Sequence, residues 1–584
     1  MEKRGIIAII LTFLIIVIWS FVQSKFYPPQ PAKETKKEQV SPPAPSRVGP
    51  GEEKKEEKEI KKAAPSKDGK AIQKVKEVER KEVSIETEDY WAVFTNDNAG
   101  LKHFKFKKYK DRVEESGMAV RLVQFVEGLL GKKVEEPKKP EPLDLIAKEE
   151  EGLPLGLKLV DSKTSFGAGN WEVDKETLTL SRGGEDGEVT FEKGLENGLK
   201  VLKHYRFHPE TYTIDIDVEI QNPTAQEATL QMGLDWVGKI ELAKLADEGN
   251  KDFGLRYAFL KNEKVEVKQF GGASSGGCVP SCGPQKRTVE VSQFSDRGEI
   301  KWFSFGGEYF SAMLIPPPAV KDVALSVKTD DKDTLSATIY AAPVTVAPGQ
   351  SAKIPYRAYL GPKDERQLKA IGVEAEKLVN FGWFTVVAKP LLWFINLTHG
   401  LTKNYGIDII LISILIKIIF LPLTQISFKS MKEMQKIQPE MNRLREQYKN
   451  DKARLQQEIM LLYKRRKVNP MSGCLPMVIQ IPVFIALYNA LQNTIEMRHA
   501  PFFLWIRDLS AKDPLYITPI IMGATMVIQQ KMTPSAADPA QAKMMLLMPV
   551  MFTFLFLNFP AGLVLYWMVN NILSIAHQYY LNKR

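Results

Sequence analysis

Lys417 is the single charge in the apolar run IILISILIKIIFLPLTQISF (409–428), twenty residues set between Asp408 and Lys429. A run of that length can cross the hydrocarbon core of a bilayer. An ammonium at mid-span costs roughly 3 kcal/mol on insertion scales, and its stem is too short to snorkel to either headgroup layer. Residues 468–495, 514–530 and 544–582 contain no Asp, Glu, Lys or Arg, so the other apolar runs offer no carboxylate to neutralise it. Asp408 is nine residues away, about 13 Å along a helix. An unpaired cation in that position implies a wet polar recess inside a helical membrane bundle. Its chemistry is attraction of anionic groups by a point charge.

Other polar side chains share these runs. On a continuous helix Ser413, Lys417 and Thr424 (i, i+4, i+11) lie on one face. Gln480, Asn489, Gln492 and Asn493 punctuate residues 470–495, and Asn570, Asn571, Ser574, His577 and Gln578 punctuate the last run. Such residues either hydrogen-bond between helices or line a recess. Bond-breaking chemistry has no comparable signal. The chain lacks a Walker A loop, G-x-S-x-G, H-E-x-x-H and C-x-x-C. His204 and His208 fall on a strand-like HYRFH, without a third ligand, and read as surface positions rather than a metal site. Cys278 and Cys282 flank VPS in a Gly/Ser-rich loop, where both a local disulfide and free thiols are open. No enzyme, metal or cofactor is expected.

The elements that place these residues follow from charge and period. Residues 1–27 hold MEKRG and then an apolar stretch with no A-x-A-like cleavage site, which predicts an uncleaved anchor with its N-terminus in the cytoplasm. Residues 28–82 are rich in Pro, Lys and Glu and read as a disordered linker. Residues 83–361 read as an all-β sandwich domain. In TYTIDIDVEIQ, for example, Tyr212, Ile214, Ile216, Val218 and Ile220 alternate with polar neighbours. Residues 362–400 become helical, and Phe381, Trp383, Phe384, Trp393 and Phe394 predict a helix lying in the membrane interface. Residues 401–584 carry five apolar runs (406–428, 470–495, 514–530, 543–559 and 561–580), giving six spans with the anchor.

Residues 429–467 hold twelve Lys/Arg against five Asp/Glu. A short basic loop of this kind stays in the cytoplasm, which places both termini there and the β domain outside. Met431, Met434 and Met441 recur at helical spacing and predict a helical hairpin that captures apolar clients through flexible thioethers. Pro439 kinks or splits its first arm. Two later runs are only about seventeen residues and would thin the bilayer. The formal charge of +10 favours anionic partners such as lipid headgroups or a ribosome. Direct DNA binding is not expected.

NPMSGCLPMVIQIPVFIALYNAL (469–491), APFFLWIRDLSAKDPLYITPIIMG (500–523) and FPAGLVLYWMVNNILSI (559–575) closely resemble the YidC/Oxa1/Alb3 membrane insertase family. The resemblance covers about residues 380–580. The first span and the β insert look like its Gram-negative bacterial form. It implies a multi-domain protein of the bacterial inner membrane: an α-helical polytopic bundle, five of its six spans forming the core, plus a periplasmic β-supersandwich. It further implies a hydrophilic groove with a positive residue, usually Arg and here Lys417, and groove or client-contact roles for Ser413, Phe484, Tyr566 and Trp567. With Thr424, Gln480 and Asn570 these form the expected groove. The implied partners are nascent membrane proteins, the Sec translocon and translating ribosomes. A secondary transporter would require inverted repeats, which are not evident.

Overall fold

The computed structural model describes residues 78–113, 139–146, 152–160, 165–240, 256–269, 292–318, 320–330, 333–379, 384–466, 475–532 and 539–583, with the single positions 128 and 468. The anchor, most of the linker, Phe381, Trp383, Cys278 and Cys282 lie outside the described residues.

The period-two pattern around Ile216 folds as it predicts. Thr213–Gln221 is a strand in which Ile214, Ile216, Val218 and Ile220 are fully buried and the intervening residues half-exposed. It pairs antiparallel with Lys200–Phe207 on one side and Ser351–Pro362 on the other. These three strands form the middle of a nine-stranded sheet. It continues through Phe310–Ile315, Ile300–Gly306, Arg256–Lys261 and Lys264–Gln269 at one end, and through Gly187–Gly194 and Glu172–Val173 at the other. Two five-stranded sheets cover its apolar face. Phe94 from the first meets Tyr205 at 4.6 Å between ring centroids. From the large sheet, the Tyr356 hydroxyl donates to the carbonyl of Met232, 2.9 Å away on the second.

One core position is a lysine. The alternation that buries Val201, Tyr205 and Phe207 also buries Lys203 completely. Its ammonium donates to the carbonyls of Ala99 (3.2 Å) and Leu155. Tyr205 donates to the same two oxygens at 2.7 and 3.2 Å. Ala99 and Leu155 both have positive φ, 44° and 63°, so the two donors hold the chain at turns its side chains disfavour. Burial pushes the Lys203 pKa well below the usual lysine value.

After Pro362 the chain is helical. Asp364 caps α1 (Glu365–Ile371), accepting from Arg366 N at 2.8 Å and Gln367 N at 3.1 Å. Then follow α2 (Thr385–Thr402), α3 (Tyr405–Ile419), α4 (Leu421–Lys436), α5 (Gln438–Gln447), α6 (Lys452–Arg466), α7 (Leu475–Asn493), α8 (Ile517–Met532), α9 (Pro539–Phe556) and α10 (Ala561–Lys583). Helix α2 buries Ala388, Leu391, Leu392 and Ile395 against the bundle, yet its outer face is also apolar, with Val386, Trp393, Leu397 and Leu401 exposed. Helix α10 packs on α3 and α8, and α8 on α9. A Cβ on Gly523 would collide with Thr553 Oγ1, so the α8–α9 contact depends on that glycine.

The β domain and the helices meet at the turn Ile495–Met497 between α7 and α8. Ile495 is buried in the apolar cluster that runs from the β domain's core to Leu368, Ala375 and Leu378. Arg498 donates to the carbonyl of Lys110 at 2.6 Å and lies 5.3 Å from the Phe310 ring.

Among the described residues no single helix is long and apolar enough to cross a membrane; the bent pair α3–α4 meets that length and composition only jointly. The continuous span expected at 406–428 is therefore corrected to two helices, bent by 60° at Phe420. Pro422 is the physical reason. It has no N–H to donate, and its ring would strike the carbonyl four residues back, so α3 stops and the proline sits in the first turn of α4.

Candidate functional site

The bend relocates the cation. Lys417 belongs to the final turn of α3, not to the middle of a long helix. Helix α3 is started by the Asn404 side chain, which accepts from Gly406 N (2.9 Å) and Ile407 N (3.2 Å). Its C-terminal carbonyls favour a nearby cation. Lys417 is half-buried, and its ammonium donates to Ser574 Oγ on α10 at 2.6 Å. Ser574 in turn donates to the carbonyl of Asn570 at 2.7 Å. The partner of the cation is thus a hydroxyl, in keeping with the lack of acids in the apolar runs.

The row continues up α10. The Asn570 amide donates to the carbonyl of Tyr566 at 2.9 Å, and the Gln480 amide of α7 donates to the Tyr566 hydroxyl. Tyr566 is fully buried. Lys417, Gln480, Tyr566 and Asn570 are therefore brought together, with Ser574 as the link. Ser574 is missing from the groove residues expected from sequence, although its spacing from Asn570 (i, i+4) put it on the same face.

Phe484 and Trp567 form a neighbouring aromatic group. Their rings meet edge-on at 5.0 Å, and Trp567 lies 5.3 Å from Phe556 and 6.1 Å from Phe552. Ser413 and Thr424 stand apart from the row. Ser413 is fully buried and donates to the carbonyl of Ile409 within α3 at 2.6 Å. Thr424 lies beyond the bend and donates to the carbonyl of Phe420 at 2.9 Å. The common face expected for Ser413, Lys417 and Thr424 assumed a straight helix, and the bend divides it.

The hairpin forms from α4, α5 and α6. Its first arm is split at Ile437, two residues before Pro439. Met441 is buried at 3 % exposure with Ile437 and Leu462, and the Tyr463 hydroxyl reaches its Sδ at 3.6 Å. It packs the two arms together, so the expectation that it is open for client capture is corrected. Met431 and Met434 on α4 remain half-exposed. Lys432 donates to the carbonyl of Leu581 in the last turn of α10 at 2.8 Å. Lys429, Lys436, Arg443, Lys464, Arg465 and Arg466 face outward.

On the β domain, His204 and His208 lie on the face of the large sheet opposite the core and engage carboxylates. His208 bridges Asp186 (2.9 Å) and Asp215 (3.0 Å), and Arg357 donates to Asp215 at 2.7 Å. The hydrogen bond from His208, with help from Arg357, holds the Asp215 carboxyl down at about 2; the same bond raises His208. Among the described residues no three His, Cys, Asp or Glu side chains are grouped to hold a metal ion.

Comparison with known proteins gives two family matches that together span nearly all of the described chain: the YidC periplasmic domain over residues 82–394 and the 60Kd inner membrane protein over residues 397–584. The membrane protein insertase YidC of Syntrophus aciditrophicus is 40% identical over 590 residues, covering all of both chains. That of Geotalea daltonii is 38% identical over 587 residues, covering 100% of this chain and 99% of the relative. A crystal structure of an active YidC insertase with its first transmembrane domain resolved is 19% identical, covers 86% of this chain and 92% of that one, and superposes with a TM-score of 0.35. The chain belongs to the YidC family of membrane protein insertases.

Proposed function

We propose that this chain inserts membrane proteins into the bacterial inner membrane and acts as a chaperone for their folding and assembly, alone or beside the Sec translocon. The observation that carries the reading is the polar row of Lys417, Ser574, Asn570, Tyr566 and Gln480, set between α3, α7 and α10 with the Phe484–Trp567 aromatic group beside it. An ammonium that gives one N–H to a hydroxyl has two more donors to offer a client. The adjoining rings give an apolar segment somewhere to rest.

The mechanism needs no bond chemistry and no cofactor. Leu, Ile, Phe and Val each gain roughly 0.3–0.6 kcal/mol at mid-membrane, so a twenty-residue client helix gains on the order of 5–10 kcal/mol on reaching lipid. The protein lowers the barrier for the client's short polar flank. The groove hydrates that flank, Lys417 attracts its acidic groups, and the apolar segment leaves along α3 and α7.

The remaining architecture follows from the same reading. Six spans, one in the N-terminal anchor, place both termini in the cytoplasm and the β-supersandwich in the periplasm. Helix α2, apolar on its outer face through Val386, Trp393, Leu397 and Leu401, lies in the membrane interface. The outward-facing lysines and arginines of the hairpin meet ribosomal RNA and anionic headgroups, while Met431 and Met434 receive client side chains. The test is site-specific photocrosslinking from positions 417 and 484 to a stalled nascent chain. Adducts with the client at both positions are expected; a client that crosslinks at neither sinks the reading.

A further inference from the structure

We propose that Ser574 is a positioning residue for the groove cation: it holds the Lys417 ammonium against α10 so that its other N–H bonds meet acidic groups on a client's flank. The inference rests on the groove reading above. A lysine stem rotates freely, and Lys417 sits one turn from a sharp bend, from which it could swing toward water. What stops it is the 2.6 Å hydrogen bond to Ser574.

The direction of that bond is set by its neighbour. A hydroxyl has one proton, and Ser574 places it on the carbonyl of Asn570 at 2.7 Å. Only oxygen lone pairs remain for what lies in front of it. They suit an ammonium and repel a carboxylate. Ser574 therefore cannot bind an acidic client group itself; it can only hold the cation that does. The ammonium has three N–H donors, and one is committed to Ser574.

The side chain at 417 explains why a holder is needed. A guanidinium grips a carboxylate with a rigid two-pronged fork, which carries its own geometry. A lysine is a point charge and carries none. Where the cation is Lys, its orientation must come from outside, and the committed hydroxyl of Ser574 supplies it.

The test uses full-length protein reconstituted in liposomes and two short single-span clients, one with Asp/Glu in its translocated flank and one with Asn/Gln there. Ser574→Ala should slow insertion of the acidic client roughly fivefold, part of the roughly tenfold that removing the cation itself costs, and should change the neutral client less than about twofold. Ser574→Thr should restore both. Ser574→Cys keeps the volume with a poor acceptor; it should reproduce the split and serves if the alanine variant does not accumulate. A loss shared equally by both clients, or no loss with either, overturns the role. Lys417→Met separates this inference from the reading beneath it. If it inserts the acidic client as well as the native protein does, the groove reading falls. If it loses the acidic client while Ser574→Ala and Ser574→Cys do not, only the role of Ser574 falls.

Discussion

Reversing the charge at position 417 tests the groove most directly. A client carboxylate on one of the free N–H bonds of Lys417 would sit about 3 Å from the ammonium. Coulomb's law gives about 1.4 kcal/mol at that distance in bulk water, and about 5.5 kcal/mol at an effective dielectric of 20. Lys417 is half-buried beside a row of polar groups, so the value belongs near the lower figure. Each 1.36 kcal/mol is a factor of ten, so Lys417→Met should slow an acidic-flank client about tenfold. Lys417→Glu turns attraction into repulsion of similar size, and the factor becomes about a hundred. Lys417→Arg keeps the charge and should stay within about threefold of the native rate, since the point-charge contribution is unchanged. The assay is protease protection of a short single-span client in proteoliposomes, with the amount of inserted variant matched by immunoblot. Salt supplies a second axis: at 1 M the Debye length falls to about 3 Å and the spread among variants should narrow. Equal rates for Met, Arg and Glu at low salt would refute the electrostatic role.

Three further outcomes follow. Pro422→Ala restores an N–H at the bend and removes the ring that blocks α3; in a sixteen-residue α4 about 24 Å long, full relief of the 60° bend carries the far end about as far, so distances between spin labels at positions 436 and 583 should lengthen or broaden, and an unchanged distribution would show that packing alone sets the bend. His208→Ala should lower the stability of the β domain by under about 1 kcal/mol, and the loss depends on pH in a set direction. The raised His208 contributes fully below its unfolded value of about 6.5 and less as pH climbs through its folded value, whereas the depressed Asp215 contributes above about 3.8 and loses this as pH falls toward 2. Melting followed by tryptophan fluorescence should therefore separate variant from native more at pH 5 than at pH 9, and the reverse order would refute the pairing. Lys203 runs the other way: between its depressed folded value and about 10.5 the unfolded chain binds the extra proton, so over that range native stability rises with pH. Lys203→Met should flatten that rise and leave the share due to Lys363, which burial also depresses; an identical slope in native and variant proteins would show that Lys203 is not buried as described.

What could be read from the chain alone depended on what the local signal encodes. Alternation around Ile216 gave a strand and its buried face correctly, because a pleated backbone leaves no other arrangement. The same alternation reads just as clearly at Lys203, yet an inward lysine contradicts side-chain preference, and only the carbonyls of Ala99 and Leu155, 104 and 48 residues distant, make it tolerable. The run 409–428 identified the cation but hid the bend. Hydropathy measures side chains, whereas the break is a backbone event at Phe420, just ahead of Pro422. Met441 had the same spacing as Met431 and Met434, but spacing does not say which face the opposing arm covers. Ser574 was visible as one polar residue among several. Its value appears only when α3 and α10 are side by side, a long-range pairing that no window of sequence contains.

The turn at Ile495 has a consequence for how this protein can be taken apart. The apolar cluster that fills the β domain extends past its last strand to Leu368, Ala375 and Leu378 and takes in Ile495 from the connection between α7 and α8, and Arg498 pins that connection to the Lys110 backbone. Cutting out residues 83–361 therefore does more than remove an appendage. The cut strips Arg498 of the Lys110 carbonyl and the Phe310 ring and removes most of the apolar cluster to which Ile495 belongs, so the helical remainder displays a greasy, cationic knob.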